Sequence, residues 1–278
     1  MKVSNRYIIA GLTVLALAGT GCDKLKSRDH LNKGVAAFKT AKYTQAVDHF
    51  KEAVQLDPEN PNARLYLATA YMSQYIPGAD SPENMQNAQA AEREFLKVLE
   101  TKKDDAIAIS SLASLHYNQA QGNQPLEKKL AQLDQAREWY TRLSQAEPQN
   151  KEAYYSLGVI TWAKWYPELM SARAKLGMKP EDPGPIKDKK IKEELKAKWG
   201  PQVEEGIKNL KHALELDKEY DDAMAYVNLL TRERADLADT PEQYKKDVDE
   251  ADSWVQKALE TKKLKAERVA NKGGIKAE

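Results

Sequence analysis

The side chains able to do chemistry are few and scattered. His30, His49, His116 and His212 are the only histidines, and none stands four residues from another with a glutamate beside the first. That spacing would set two imidazoles around zinc on one helix face. No Gly-x-Ser-x-Gly elbow presents a serine, and no glycine-rich loop runs into Lys-Ser or Lys-Thr to cradle phosphate. The carboxylate pairs Asp104-Asp105 and Asp221-Asp222 precede helical stretches, where negative charge complements the helix dipole. Five Trp and thirteen Tyr could stack on sugars or bases, yet most fall at helical spacing and read first as core. The single cysteine, Cys22, is the one reactive group that stands apart. These residues predict no catalysis, no metal and no cofactor beyond what Cys22 itself carries.

The elements that must position these residues are helical. The chain has 278 residues, with 43 Lys plus Arg against 42 Asp plus Glu, a formal charge of +1. Such a balance excludes the basic face of a dedicated nucleic-acid binder. A charged fraction of 31% with a mean hydropathy of −0.72 excludes a polytopic membrane protein. A hydrophobic fraction of 41% with almost no net charge sets the chain apart from disordered sequences. The glycine and proline content and the scarcity of β-branched runs favour an all-α body.

Lys2 and Arg6 precede an apolar run, Ile8–Ala18, and then Gly19-Thr20-Gly21-Cys22. Eleven helical residues span only ~16 Å, against a bilayer core ~30 Å thick, so the run is short for a transmembrane helix. A basic start, a short apolar core and small residues at the end describe a signal peptide over residues 1–21. The segment resembles a bacterial lipoprotein signal, whose cleavage leaves the cysteine first and lipid-bearing. Gly19 stands where that family prefers leucine, while Thr20 and Gly21 fit it. The resemblance implies a covalent lipid on Cys22, a linker over 22–26, and a membrane contact made through the anchor from the periplasmic side of a bacterial envelope. Two or three acyl chains anchor stably where one is marginal. Asp23 favours inner-membrane retention in enterobacterial lipoproteins, and both membranes stay open. The alternative is an ordinary signal peptide followed by an incidental cysteine.

Self-similarity organises the rest. Gly34-Val35-Ala36-Ala37-Phe38, Tyr43-Thr44-Gln45-Ala46, Phe50-Lys51-Glu52-Ala53 and Asp57-Pro58 form one helix–turn–helix unit. Small residues sit where two helices approach, aromatic ones fill the space beside them, and Pro58 ends the second helix. The pattern resembles the tetratricopeptide repeat (TPR). First-helix signatures recur at Leu67-Ala68, Leu112-Ala113, Leu157-Gly158 and Val227-Asn228. Second-helix signatures recur at Ala91, Ala136, Gly206 and Ala251. The expectation is an all-α, TPR-like solenoid of about five units over residues 27–262, with a cap and tail at 263–278.

Spacing refines that expectation. Gly34 to Ala46 is 12 residues, whereas Ala68 to Ala91, Ala113 to Ala136 and Asn228 to Ala251 are 23 each. An insert of eleven is close to three helical turns, so both helices are expected to lengthen in phase. Ser81 and Thr240 are expected N-caps, each followed by a proline at the first helical position. The fourth unit carries an insertion over about 167–201. Pro180, Pro183 and Pro185 mark an elbow there, and Lys187–Trp199 reads as a short basic helix with Ile191, Leu195 and Trp199 on one face. It is either a lid or partner-binding arm, or an excursion packed on its own unit.

The family resemblance places a binding groove on the first helices. Projected there are Leu31, Val35, Phe38, Leu65, Thr69, Met72, Ser110, Ser114, Tyr117, Tyr155, Val159, Trp162, Leu229 and Arg232. The Lys/Asn/Arg set that holds a peptide carboxylate in chaperone-binding relatives is missing, so an apolar strand or amphipathic helix of a protein partner is the expected ligand. The alternative is that the protein's own inserts bury this stripe. The resemblance implies a non-catalytic scaffold or adaptor serving envelope or outer-membrane assembly. Its rivals are an accessory subunit or activator of a cell-wall or secretion enzyme, and a self-associating structural lipoprotein.

Overall fold

The structure, a computed structural model, describes the backbone of residues 6–122 and 124–272 and the side chains from residue 22 to 271 apart from 123. The reading of residues 1–21 as a signal peptide rests on Lys2 and on side chains outside those described, and so does the tail beyond Lys272. Ten helices and no strand occur among the described residues. They are α1 (Arg6–Lys39), α2 (Tyr43–Leu56), α3 (Pro61–Met72), α4 (Pro82–Thr101), α5 (Ala106–Ala120), α6 (Leu126–Ala146), α7 (Lys151–Lys175), α8 (Lys189–Leu216), α9 (Asp221–Ala235) and α10 (Pro241–Lys272). Residues 22–26 are helical and continue α1. No helix among the described residues is long and apolar enough to cross a membrane. The chain divides into two compact units, residues 1–132 and 133–278.

In the first unit α1 packs on α2 and α3 on α4, while the first helices α1, α3 and α5 also touch in turn. Gly34 explains the closeness of the first pair, because a Cβ there would lie 2.5 Å from the Phe50 ring. Ala46, Val47, Phe50, Leu67 and Ala70 form the core beneath. The α1–α2 turn is tight: Lys42 N–H donates to the Ala37 carbonyl at 3.0 Å, and Ala41 takes a φ of 57°. Ser27 is buried and its hydroxyl donates to the Ala53 carbonyl at 2.8 Å. The third hairpin is tied by His116, whose Nδ1 lies 2.7 Å from Gln132 Oε1. That bond accounts for a buried histidine without any metal.

The extra eleven residues do not lengthen both helices. α3 has 12 residues and α5 and α9 have 15, close to the 14 of α2, whereas α4, α6 and α10 have 20, 21 and 32. The inserts enter the second helices and the turns before them. Pro77 and Gly78, the latter at φ +81°, prevent α3 from continuing. Asn84 then organises the turn: its side chain accepts from Ile76 N–H at 2.7 Å and donates to the carbonyls of Ile76 and Ala79 at 2.8 Å each. The expected caps are present. Ser81 Oγ accepts from Asn84 N–H at 3.1 Å and Thr240 Oγ1 from Gln243 N–H at 3.2 Å.

In the second unit α7 packs on α8, α8 on α9, α9 on α10, and the first helices α7 and α9 on each other. Gly158 and Gly206 hold the close approaches: added Cβ atoms would meet Leu210 at 2.3 Å and Thr161 at 2.9 Å. Residues Lys187–Trp199 are not a separate short helix, because α8 runs unbroken through Pro201 from Lys189 to Leu216. Proline removes one ladder bond, but Leu195, Trp199, Val203, Ile207, Leu210 and Leu214 are all buried in the unit's core. Their four- and three-residue spacing keeps one continuous apolar stripe across the proline. The insertion is therefore not extended as an arm, and it packs both on its own repeat and on the turn between α9 and α10 of the next one. Trp199 meets Trp165 with ring centroids 5.9 Å apart, Ile186 N–H donates to the Asp236 carbonyl, and Lys192 Nζ donates to the Ala238 carbonyl.

Candidate functional site

The residues expected to line a groove fall in both units. In the first, Leu31, Val35 and Phe38 pack half-buried against the Phe50 core, and Leu65, Thr69, Met72, Ser110, Ser114 and Tyr117 are also half-buried. In the second, Val159 is buried, while Tyr155, Trp162 and Leu229 are half-buried and Arg232 is exposed. Arg232 is engaged by Asp252 and Asn228, so its guanidinium is occupied within its own hairpin.

The second unit assembles a continuous aromatic array around two of these positions. Tyr155 lies 4.8 Å from Tyr220 and 5.8 Å from Tyr226, measured between ring centroids. Trp162 lies 5.5 Å from Tyr226 and stacks on Tyr166 at 5.1 Å. These separations suit edge-to-face and offset contacts between aromatic quadrupoles. Tyr220, Tyr226 and Tyr166 escaped the sequence reading, although the seven- and four-residue steps from Tyr155 through Trp162 to Tyr166 carried a usable signal. Tyr220 donates to Glu152 at 2.6 Å, and burial first, then that carboxylate, push its hydroxyl pKa far upward. Burial likewise raises the Tyr226 hydroxyl. Neither phenol is suited to acid–base work near neutral pH.

Beside the array lies a pocket of about 430 Å³ walled by α7, the proline elbow, α9 and α10. Glu233 lines it, 9% exposed, and its Oε1 accepts from Trp162 Nε1 at 2.8 Å. Its Oε2 is buried without a hydrogen-bond partner. Burial, with a smaller push from the Asp236 charge, raises the Glu233 carboxyl to about 8; the Trp162 and Trp165 indoles pull the other way. The Trp165 N–H is near enough to act on the carboxyl but makes no hydrogen bond within 3.5 Å. Arg173 and Asp236 form a buried pair at 2.6 Å, and Arg173 also donates to the carbonyls of Lys179 and Asp182. One acid–base pair is thus internally neutralised, and Glu233 is left as the buried group without a counterion.

A second, open cleft of about 1200 Å³ lies between α6, α7 and α8. Tyr154 meets His212 edge-on there at 4.4 Å, and lysines, arginines and glutamates of both signs line its rim. Among the described residues no cluster of His, Cys, Asp or Glu could hold a metal ion. Cys22 is exposed.

A family model described as a TPR repeat matches residues 34–74, the stretch from the first close-approach glycine through α3. The chain has a tetratricopeptide-repeat fold. Solved structures carry the likeness across most of its length. The crystal structure of MamA protein aligns over 87% of this chain and 94% of its own, with a TM-score of 0.55 and 15% identity. MamA 41-end from Desulfovibrio magneticus RS-1 aligns over 86% and 96%, with a TM-score of 0.52 and 17% identity. At such identities the likeness is one of fold alone. No curated protein matches the sequence. The TPR fold is one that serves as a protein-interaction scaffold.

Proposed function

We propose that this chain is a non-catalytic adaptor, anchored to a bacterial envelope membrane through lipid on Cys22, that holds a protein partner against its first helices. The observation that carries the binding half is the aromatic array of Tyr155, Trp162, Tyr166, Tyr220 and Tyr226. Five large rings sit half-buried on α7, on α9 and at the turn between α8 and α9. Large rings that are half-covered offer apolar area without having to leave a core, and such residues dominate the energetics of protein interfaces. Service in envelope or outer-membrane assembly follows from the anchor together with the scaffold. The exposed Cys22 thiol and the short basic-apolar leader support the anchor.

Two variants separate the halves of this reading. Cys22→Ser should release the protein from the membrane fraction, and the native N-terminal fragment should carry the mass of acyl chains. An unmodified fragment from a membrane-bound protein would refute the anchor. Tyr155→Ala combined with Trp162→Ala should abolish a partner cross-linked in the native envelope while the helical circular dichroism is kept. Undiminished cross-linking would refute the binding face.

Self-association is a second reading with its own observation. Leu259, Leu264 and Val269 on α10 are 57%, 51% and 72% exposed, and an uncovered terminal helix in a repeat stack can seek a second copy. Light scattering should then show a dimer that Leu264→Glu dissolves; a monomer at every concentration would remove this reading.

A further inference from the structure

The pocket beside the aromatic array has a charge imbalance that the fold itself does not need. Its buried cation, Arg173, is paired with Asp236 through Nη1 and donates to two backbone carbonyls through Nη2, with Nε left unpaired. Its exposed cation, Arg232, is turned to Asp252. Three further carboxylates line the same pocket, Glu181, Asp182 and Glu233, and none has an ion-pair partner among the described residues. Glu233 is also nine-tenths buried with Oε2 unpaired. A buried carboxylate without a partner costs free energy that an isosteric neutral residue would not. Tyr166 and Tyr244 add aromatic surface to the walls, and an aromatic face attracts a cation. The 430 Å³ volume is within the range of sites that take one small group.

We infer that this pocket receives the cationic end of a lysine or arginine side chain from the bound partner, placed between the Glu233 and Asp182 carboxylates against the tyrosines. The assignment rests on the adaptor reading and sharpens it. The array supplies apolar area, and the pocket supplies selection for a basic residue next to an apolar segment. Arg173 and Asp236 position the proline elbow that forms one wall, through the guanidinium bonds to the Lys179 and Asp182 carbonyls.

A small probe tests the pocket without any partner, so its failure is distinct from failure of the adaptor reading. The full chain, in detergent micelles and with ¹⁵N-labelled tryptophan, is titrated at pH 9, where the Glu233 carboxyl is ionised, with N-acetyl-arginine methylamide and with the uncharged N-acetyl-citrulline methylamide. The Trp162 indole N–H, bonded to Glu233, is the reporter. The arginine probe should shift it saturably and bind about tenfold more tightly than citrulline, the order expected of a charge-assisted hydrogen bond. Glu233→Gln keeps an oxygen for Trp162 and should erase that preference. Equal response to both probes in the native chain would overturn the inference, whatever the variant does. So would an arginine preference that survives in a folded Glu233→Gln chain.

Discussion

Replacing Glu233 by Gln perturbs one atom of a buried site and predicts a specific change in stability with pH. The carboxyl is held at about 8 rather than at its ordinary value of 4.5, with burial as the main cause. Between those values the folded chain keeps a proton that the unfolded chain has released. The favourable contribution of the protonated group is therefore complete below about pH 4.5 and drains away as pH rises through about 8. At about 1.4 kcal/mol per pKa unit, the gap corresponds to about 5 kcal/mol. Gln cannot ionise, and its oxygen can still accept from the Trp162 indole at the 2.8 Å position. The variant should match the native chain near pH 5 and exceed it by several kcal/mol at pH 9. Urea unfolding followed by tryptophan fluorescence reads this directly. All five tryptophans, 139, 162, 165, 199 and 254, lie in the second unit, so the signal reports that unit alone. Other titrating groups are common to both proteins and cancel in the difference. Parallel stability profiles from pH 5 to 9 would refute the reasoning, because they would mean that Glu233 ionises at no cost.

Three further substitutions probe the fold. Gly158→Ala places a methyl 2.3 Å from the Leu210 side chain, which is fully buried; overpacking outweighs the gain in helix propensity, for a net loss of about 1–2 kcal/mol in the same urea assay. Asn84→Ala removes three hydrogen bonds from the α3–α4 turn and should cost about 1–3 kcal/mol, read as faster amide exchange at Ile76. Ala41→Gly relieves a left-handed residue at φ 57° and should raise the stability of the first unit by about 1 kcal/mol, measured by circular dichroism because that unit holds no tryptophan.

The parts of the fold legible in the sequence were those fixed by steric necessity. Gly34, Gly158 and Gly206 marked close approaches because nothing larger fits against Phe50, Leu210 and Thr161. Ser81 and Thr240 announced helix starts because a hydroxyl there satisfies an orphan amide. Spacing also revealed the inserts, but not where they would go. Counting turns cannot tell a longer helix from a longer turn, and Pro77 with Gly78 decided that locally. Lys187–Trp199 read as a short separate helix, yet tertiary burial of Trp199 and Val203 outweighs the one ladder bond missing at Pro201.

The candidate site was half legible. Tyr155 and Trp162 stood out by their repeat positions, whereas Tyr220 reaches the array from the turn before α9, which no first-helix register predicts. On α9 the register chose Arg232. Its neighbour Glu233, about 100° further round the helix, is the buried one that meets Trp162. A charged residue beside an exposed arginine gives no sign of burial until the opposing helix supplies the indole.

The most direct test of the adaptor is where on its surface a partner lies. A photoreactive residue is placed at Tyr155 of the full chain in the native envelope and, separately, at Lys263, which is exposed on α10. Illumination should yield one adduct of defined mass from position 155 and none of that mass from 263, with the adduct lost when Trp162→Ala is added. The same adduct from both positions, or from neither, would contradict the account.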